Sequence, residues 1–528
     1  MAEFWKDRER RNKILFWLIL VTAVFLRVAG LGIFPDGRGL NQDEAFAGYE
    51  AYSLLHYGID SHGYSFPVYM VAWGSGMNAL ETYCMIPFIA IFGLTPLGIR
   101  LPQAILGCIT VYVFYRLLKK EHSEEIALTG MAFLAITPWH LMLSRWGLES
   151  NFLPGFLLLG LYFTVAGMEE SRYFLGAGIF YGLSLYAYAT VWPVMPVIVG
   201  GTAAAVLIYK RGKVDKWFWI GLVIMAIVAL PLVLFCFVSY DIMPEFKLGF
   251  LSIPKLSARR SIELNIHPYE WKRNFLNALK MFITKDDGNL GNASGGFGLY
   301  YIGGLVFGII GLIVMIVQFI KDRKKHFLHI CIMIQGVAGL ILMCLIAVNF
   351  NRVNVIHIPL IYCIVQGISF LAVGMWKKKP VKIVLCSLFG VFYLVQFVLF
   401  ARFYTGYFND LWKIVYHPGL REVVTYAEEN RGSEGVCFVS DILYPRILEA
   451  AKYPADRFCE TVIYLDDEAE YLEPVSFEGY RFGMPTAEEM KDGDVLILGY
   501  WETENIEYMD SLGYTKEEFE YYTVYTAR

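Results

Sequence analysis

Two short segments hold the side chains from which chemistry at a membrane surface can be built. Asn41-Gln42-Asp43-Glu44 sets two carboxylates side by side just beyond an apolar block. A carboxylate close to hydrocarbon is costly unless it is paired or hydrated. The pair is therefore either a hydrated helix end, where acids favour the dipole, or a proton acceptor held at the bilayer edge. The second segment, Ser144-Arg145-Trp146-Gly147-Leu148-Glu149-Ser150, supplies another acid. Arg145 and Glu149 are four apart, so an ion pair across one helical turn is the plain alternative. Further polar groups lie in the segments between apolar blocks. The first segment offers His56, Asp60, His62, Tyr64 and Asn78, and the second offers Arg259, Arg260, His267, Lys272 and Arg273. Asn351-Arg352-Val353-Asn354 is a third, shorter group. A solvated loop position is the simpler reading for most of these. The guanidinium groups stand apart, because a planar fork matches a phosphate. Arg100, Arg259, Arg260 and Arg352 have that capacity.

The elements that must position these residues are membrane spans. The 528 residues are 56% hydrophobic and 18% charged, against about 25% charged in a soluble domain. The apolar residues come in blocks of roughly 18–24, long enough to cross a ~30 Å hydrocarbon layer. The first block, Ile14 to Phe34, is too long for a signal-peptide core and reads as a retained span. Basic residues in short loops mark the cytoplasmic side. Lys6 to Lys13 puts the N-terminus there, and Lys119–Lys120, Lys210–Lys216, Lys321–Lys325 and Lys377–Lys379 mark further inner loops. The apolar stretch 83–92 is too short to span, and counting it would place Lys119–Lys120 outside. It reads instead as re-entrant. Spans then fall near 14–34, 98–118, 125–143, 151–168, 173–191, 193–209, 217–239, 297–320, 327–348, 355–376 and 381–402. That is about eleven helices, with outer segments 35–97 and 240–296. This arrangement gathers Asp43, Glu44, Arg145 and Glu149 on the outer side. Ionisable groups collected over an apolar floor make a functional site the default expectation.

From 403 to 528 the character changes. Acidic residues outnumber basic ones by 26 to 10, which suits a soluble surface and excludes nucleic acid as a partner. Val423, Val424 and Ala427 share one face of a helix over 419–429. Val436–Val439, Val495–Leu498 and Tyr522–Tyr525 read as buried strands. The expectation is a small extracytoplasmic α/β domain without a catalytic motif of its own. Most of the nine cysteines lie within apolar blocks and read as small buried hydrophobes. Cys437 and Cys459 are the two that could pair if the domain meets an oxidising compartment.

With these residues in place, the pattern resembles the GT-C membrane glycosyltransferases. It is most similar to the bacterial relatives of protein O-mannosyltransferases and of the lipid A aminoarabinose transferase (family 39). The resemblance is carried by Asp43-Glu44 after the first span and by Gly93-Leu94-Thr95-Pro96-Leu97-Gly98-Ile99-Arg100-Leu101-Pro102. Ser144-Arg145 with Glu149, the stretch Asn351 to Pro359, and the "GLREVVTYAEE" opening of the C-terminal domain add to it. It implies a sugar donor linked to a polyprenyl phosphate and inverting transfer on the outer face of the plasma membrane. Asp43 matches the family's first-loop acid and would be the general base, with Glu44 beside it. Glu149 matches the second-loop acid, which would hold the acceptor or a cation. Arg145 matches the arginine of that loop and joins Arg100, Arg259, Arg260 and Arg352 as candidates for the donor phosphate. His62, Tyr64 and Asn78 are candidates for acceptor or sugar contacts. Relatives often carry a basic residue and two prolines where this chain has Ser65-Phe66-Pro67-Val68. A phosphate-binding lysine is therefore missing, and arginines must replace it. No resident cofactor is implied, and metal dependence stays open between none and a divalent cation.

The chemistry is coherent with these residue types. An acceptor hydroxyl is a poor nucleophile, and a positioned carboxylate base contributes roughly 10²–10⁴ in rate. The expected partners are a polyprenyl-phosphate sugar, a glycan, lipid or protein acceptor, and membrane lipid. Three alternatives remain open: a polysaccharide polymerase or ligase using a lipid-diphosphate donor, a secondary transporter, and a non-catalytic assembly protein. A transporter would carry charges near the bilayer midplane and internal repeats, whereas here the charges cluster at one face.

Overall fold

In the computed structural model, residues 8–33, 39–257, 267–292, 295–469 and 471–527 are described. The chain forms two compact units. One comprises residues 1–29, 103–230 and 261–406, and the other 30–102, 231–260 and 407–528.

The first unit is built from apolar helices. Seven described helices of the chain are long and apolar enough to cross a bilayer: Pro96–Leu118, Glu149–Gly167, Lys216–Ser239, Gly304–Lys321, Phe327–Leu345, His357–Gly374 and Lys379–Trp412. This is a polytopic α-helical membrane protein. Three of these helices bury only 17–22% of their most apolar window. A helix that is apolar all round yet uncovered by protein is one whose solvent is lipid. The helices Gly304–Lys321 and His357–Ser369 meet backbone to backbone. A Cβ on Gly311 would lie 1.7 Å from the Cys363 carbonyl oxygen, and one on Gly367 2.0 Å from that of Phe307. Lipid tails are as apolar as leucine, so such small-residue contacts, rather than hydrophobic burial, hold membrane helices together.

Several expected spans are shorter or broken. The block 125–143 forms two helices, Glu124–Ile136 and Pro138–Leu143. Pro138 forces Thr137 into an extended conformation, as the residue before proline prefers. The fully buried Arg27 donates to the carbonyls of Leu134 (3.3 Å) and Ala135 (3.1 Å), which the break leaves without helical donors. Block 173–191 is a helix over Phe174–Ser184 followed by a turn of 3₁₀ helix at Ala189–Val191. The first helix runs over Arg8–Val28.

The second unit contains the helix Gln42–His56 and the short helix Leu80–Phe92 over the stretch read as re-entrant. It also contains a seven-stranded sheet. In spatial order the strands are Thr515–Glu518, Tyr522–Thr526, Val495–Gly499, Cys437–Val439, Tyr480–Phe482, Pro474–Phe477 and Ile463–Tyr464. Cys437–Val439 pairs parallel with both its neighbours, and the other pairs are antiparallel. The helix Leu420–Asn430 lays Val423, Val424 and Ala427 onto this sheet's core. Tyr49 of the helix Gln42–His56 is buried in the same core, and its hydroxyl donates to the Tyr453 carbonyl at 2.7 Å. Cys437 and Cys459 are both unpaired. Cys437 is buried within a strand, whereas the Cys459 thiol donates to the Ser61 carbonyl at 3.2 Å.

Candidate active site

The adjacent acids Asp43 and Glu44 occupy the first turn of the helix Gln42–His56, and their environments differ. Asn41 is the N-cap, and its side chain accepts from the Glu44 amide at 2.8 Å. The Glu44 carboxylate reaches back to the Asn41 amide at 3.3 Å. This reciprocal capping box satisfies two donors that a helix start leaves unpaired. Arg100 grips the same carboxylate with two parallel bonds of 2.7 Å, from Nε to Oε1 and from Nη2 to Oε2. Both side chains are 0% exposed. Nη2 also donates to Gly39 O at 2.9 Å, and the guanidinium lies over the Tyr416 ring. Gly39 has no room for a side chain, since a Cβ there would sit 2.1 Å from the Tyr416 carbonyl oxygen. Glu44 and Arg100 are thus members of one buried ion pair. Asp43, one residue earlier, is half-buried.

A second arginine braces the same helix start. Arg446 donates to Gln42 Oε1 (2.8 Å), Leu40 O (2.6 Å) and Val415 O (3.0 Å). Burial pushes its guanidinium down to about 10, and the charges of Tyr522, Asp43 and Glu44 act against that. Two cavities flank this helix start. One of about 710 Å³ is lined by residues including Leu40, Ala45, Tyr416, Arg421 and Arg446. The other, about 390 Å³, is lined by Gln42, Trp73, Tyr444 and Tyr471 among others. Asp43 lines neither cavity.

Farther along the helix, Glu50 and Asp60 form a buried acidic pair. Glu50 accepts from the Ser61 amide at 2.8 Å and from the Ser61 hydroxyl. Asp60 accepts from the amides of His62 (2.9 Å) and Tyr64 (2.8 Å). Burial holds both carboxyls above their usual range, and the charge of Asp60 adds to this at Glu50. His62 is half-buried, and burial pushes its imidazolium down to about 4, so it is neutral. The Tyr64 hydroxyl donates to Glu245 at 2.5 Å, and Asn78 is buried.

In the other unit, Arg145 is buried and its Nη1 donates to the carbonyls of Leu26 (3.0 Å), Arg27 (3.2 Å) and Ala29 (2.9 Å). It closes the C-terminus of the first helix, where a cation opposes the dipole favourably. Glu149 is half-buried on the first turn of Glu149–Gly167. That turn is held by Asn354, whose side chain donates to Ser150 O at 2.8 Å and accepts from the Trp139 indole at 3.3 Å. Gln103 donates to Asn151 O at 3.0 Å. Arg352 is half-buried, and its Nη1 donates to Ala347 O at 3.3 Å. Arg259 and Arg260 lie outside the described residues.

Sequence reasoning missed Arg446 as a support and named Asn354 only as one of the polar group 351–354. An Asn-x-x-Glu capping signal was present at 41–44. Nothing local marks Arg446, which lies some 400 positions from Gln42.

This fold is the GT-C architecture of membrane glycosyltransferases. Residues 52–235 match the family model described as dolichyl-phosphate-mannose-protein mannosyltransferase. ArnT from Cupriavidus metallidurans, in its apo state, is similar over 97% of both chains, with a TM-score of 0.55 and 12% identity. The same protein bound to undecaprenyl phosphate gives a TM-score of 0.54 at 11% identity over 97% of both chains. The apo oligosaccharyltransferase from Archaeoglobus fulgidus is similar over 85% of this chain and 64% of its own, with a TM-score of 0.52 and 14% identity. No curated protein matches. The chain has the GT-C fold, and residues 52–235 are similar to the protein mannosyltransferase family.

Proposed function

We propose that this protein transfers a sugar from a polyprenyl-phosphate donor to an acceptor hydroxyl at the outer face of the plasma membrane, with inversion. The N-terminus is cytoplasmic and residues 403–528 are extracytoplasmic in this reading. The acceptor oxygen attacks the anomeric carbon, the carbon–oxygen bond to the lipid phosphate breaks, and the lipid phosphate departs with the bonding pair. Asp43 takes the proton of the attacking hydroxyl. Glu149 orients the acceptor or a divalent cation.

The observation that carries the assignment is the unequal fate of the two adjacent acids. Glu44 is 0% exposed and doubly bonded by Arg100, so its lone pairs are occupied. Asp43 is half-buried on the same first turn, so it keeps the solvent exposure that Glu44 lacks. Glu44, Arg100 and Arg446 then act as positioning residues, and Arg145 serves the end of the first helix. Donor-phosphate contacts fall to Arg259, Arg260 and Arg352, with sugar or acceptor contacts from His62, Tyr64 and Asn78. The ArnT bound to undecaprenyl phosphate and the matching family's dolichyl-phosphate-mannose chemistry support a lipid-phosphate donor.

The test is turnover of a synthetic polyprenyl-phosphate sugar by purified protein in lipid nanodiscs. Asp43→Asn is expected to lower kcat by about 10²–10⁴ with expression and thermal stability unchanged. Wild-type turnover in that variant removes Asp43 from the base role. Turnover confined to lipid-diphosphate donors would replace this reading with the polymerase or ligase alternative.

A further inference from the structure

The basic ends of two helices hold a cluster that the transfer reaction does not use. Glu121 follows Lys119–Lys120 at the end of Pro96–Leu118, while His326 and His329 open Phe327–Leu345 in the pattern His326-Phe327-Leu328-His329. The ligand atoms of these three residues lie within 4.8 Å of one another. Glu121 divides its work between its oxygens. Oε1 accepts from the Leu328 amide at 2.5 Å, an ordinary helix-start contact. Oε2 faces His329 Nδ1 at 3.3 Å and His326 Nδ1 at 3.8 Å.

Hydrogen bonding leaves one of these ligand atoms, His326 Nδ1, without a partner. His329 is engaged on both sides, with Nε2 3.1 Å from Gln318 Oε1 and Nδ1 within hydrogen-bond distance of Glu121 Oε2. Three metal-ligating atoms gather within 4.8 Å of one another, one of them buried without a hydrogen-bond partner, an arrangement that a cation accommodates. Zn²⁺ with bonds of about 2.0–2.1 Å needs ligand atoms about 3.3 Å apart in a tetrahedron. The two distances from Oε2 are already close to that. Two imidazoles and one carboxylate select a borderline transition metal over Mg²⁺ or Ca²⁺.

We infer that Glu121, His326 and His329 form a Zn²⁺-type site that staples the 119–123 turn to the 322–326 turn. His122 is not a ligand, because its Nε2 is engaged by the Tyr362 hydroxyl (2.6 Å) and by Gln366 (3.0 Å). The fourth position falls to water, since His326 and Glu121 keep 22% and 11% side-chain exposure. The site stabilises the fold and is independent of the transfer reaction.

The test uses full-length, tag-free protein in nanodiscs, stripped with chelator and reloaded with Zn²⁺ or Co²⁺. Elemental analysis should find about one Zn²⁺ per chain removed by His326→Ala and by Glu121→Gln but kept in His62→Gln. Co²⁺ should give intense tetrahedral visible bands in the wild type only. Zn²⁺ should raise the unfolding temperature of stripped wild type and leave both variants unmoved. Equal unfolding temperatures of stripped wild type and stripped variants show that the variants are folded. No metal above background in the wild type, or equal metal in the wild type and both variants, overturns the site.

Discussion

Replacing Arg100 by leucine should unfasten the acidic helix start without touching the proposed base. The Glu44 carboxylate would keep its Asn41 amide bond but lose both guanidinium bonds, in a position with 0% exposure. Removing one partner of a buried ion pair costs about 3–5 kcal/mol, because the other charge is left stranded. The Gly39 carbonyl loses its donor too, so the upper part of that range is expected. A cooperative unit of 150–250 residues loses about 2–4 °C per kcal/mol, which predicts a drop of roughly 10–15 °C. Arg100→Lys keeps the charge but not the two-pronged geometry, and should fall in between. Glu44→Gln combined with Arg100→Met removes both charges. Its loss should be smaller than the sum of the single losses by about 2 kcal/mol. The assay is thermal unfolding in nanodiscs by intrinsic fluorescence, with turnover measured well below the transition. A change under about 2 °C in Arg100→Leu, or strict additivity in the cycle, would refute the idea that this pair anchors the helix start.

Three further substitutions probe other parts of the molecule. Glu50 and Asp60 hold protons in the folded state that the unfolded chain would release, because burial raises both. Their contribution to stability should therefore be full below about pH 4, the unfolded carboxylate range, and be lost as pH rises through the raised folded values, about 7 for Asp60 and about 8 for Glu50. Glu50→Gln should flatten the fall in unfolding temperature between pH 5.5 and 8.5 by about half, and an unchanged slope would count against the buried pair. Gly311→Ala forces a methyl against the Cys363 carbonyl and should destabilise by about 1–3 kcal/mol. In contrast, Gly390→Ala meets nothing within 4 Å and should stabilise its helix by about 0.5–1 kcal/mol. Paired thermal melts check both, and equal effects would show that the close helix contact is not maintained.

What was legible in the sequence follows from the range of each interaction. Apolar blocks report their own burial in lipid, so the membrane class could be read from residues 14–402, whereas the GT-C architecture was implied by the family resemblance carried on short motifs such as Asp43-Glu44 and Gly93–Pro102. Local periodicity also exposed the helix Leu420–Asn430 and the strands at Cys437, Val495 and Tyr522. The break at Thr137 was overlooked, although Pro138 announced it, because hydropathy alone runs on to Leu143. At the helix start, sequence identified the acids but not their division of labour. Adjacent residues on a helix point about 100° apart, so one can be buried against Arg100 while its neighbour is not. That outcome depends on a residue 56 positions away. Arg446 is more distant still, and long-range arginine clamps leave no local pattern.

Tyr49, Gln42 and Leu40 share one compact unit with Arg446, Tyr453 and the seven-stranded sheet. This has a consequence for anyone making chimeras among related enzymes. A cut near residue 406 that exchanges only the C-terminal residues would part Arg446 from the carbonyl of Leu40 and strip the tyrosine pocket from the acidic helix. The heritable cassette is discontinuous. Segments 30–102, 231–260 and 407–528 must travel together. Sequence drift within one of them should constrain which changes the other two can accept.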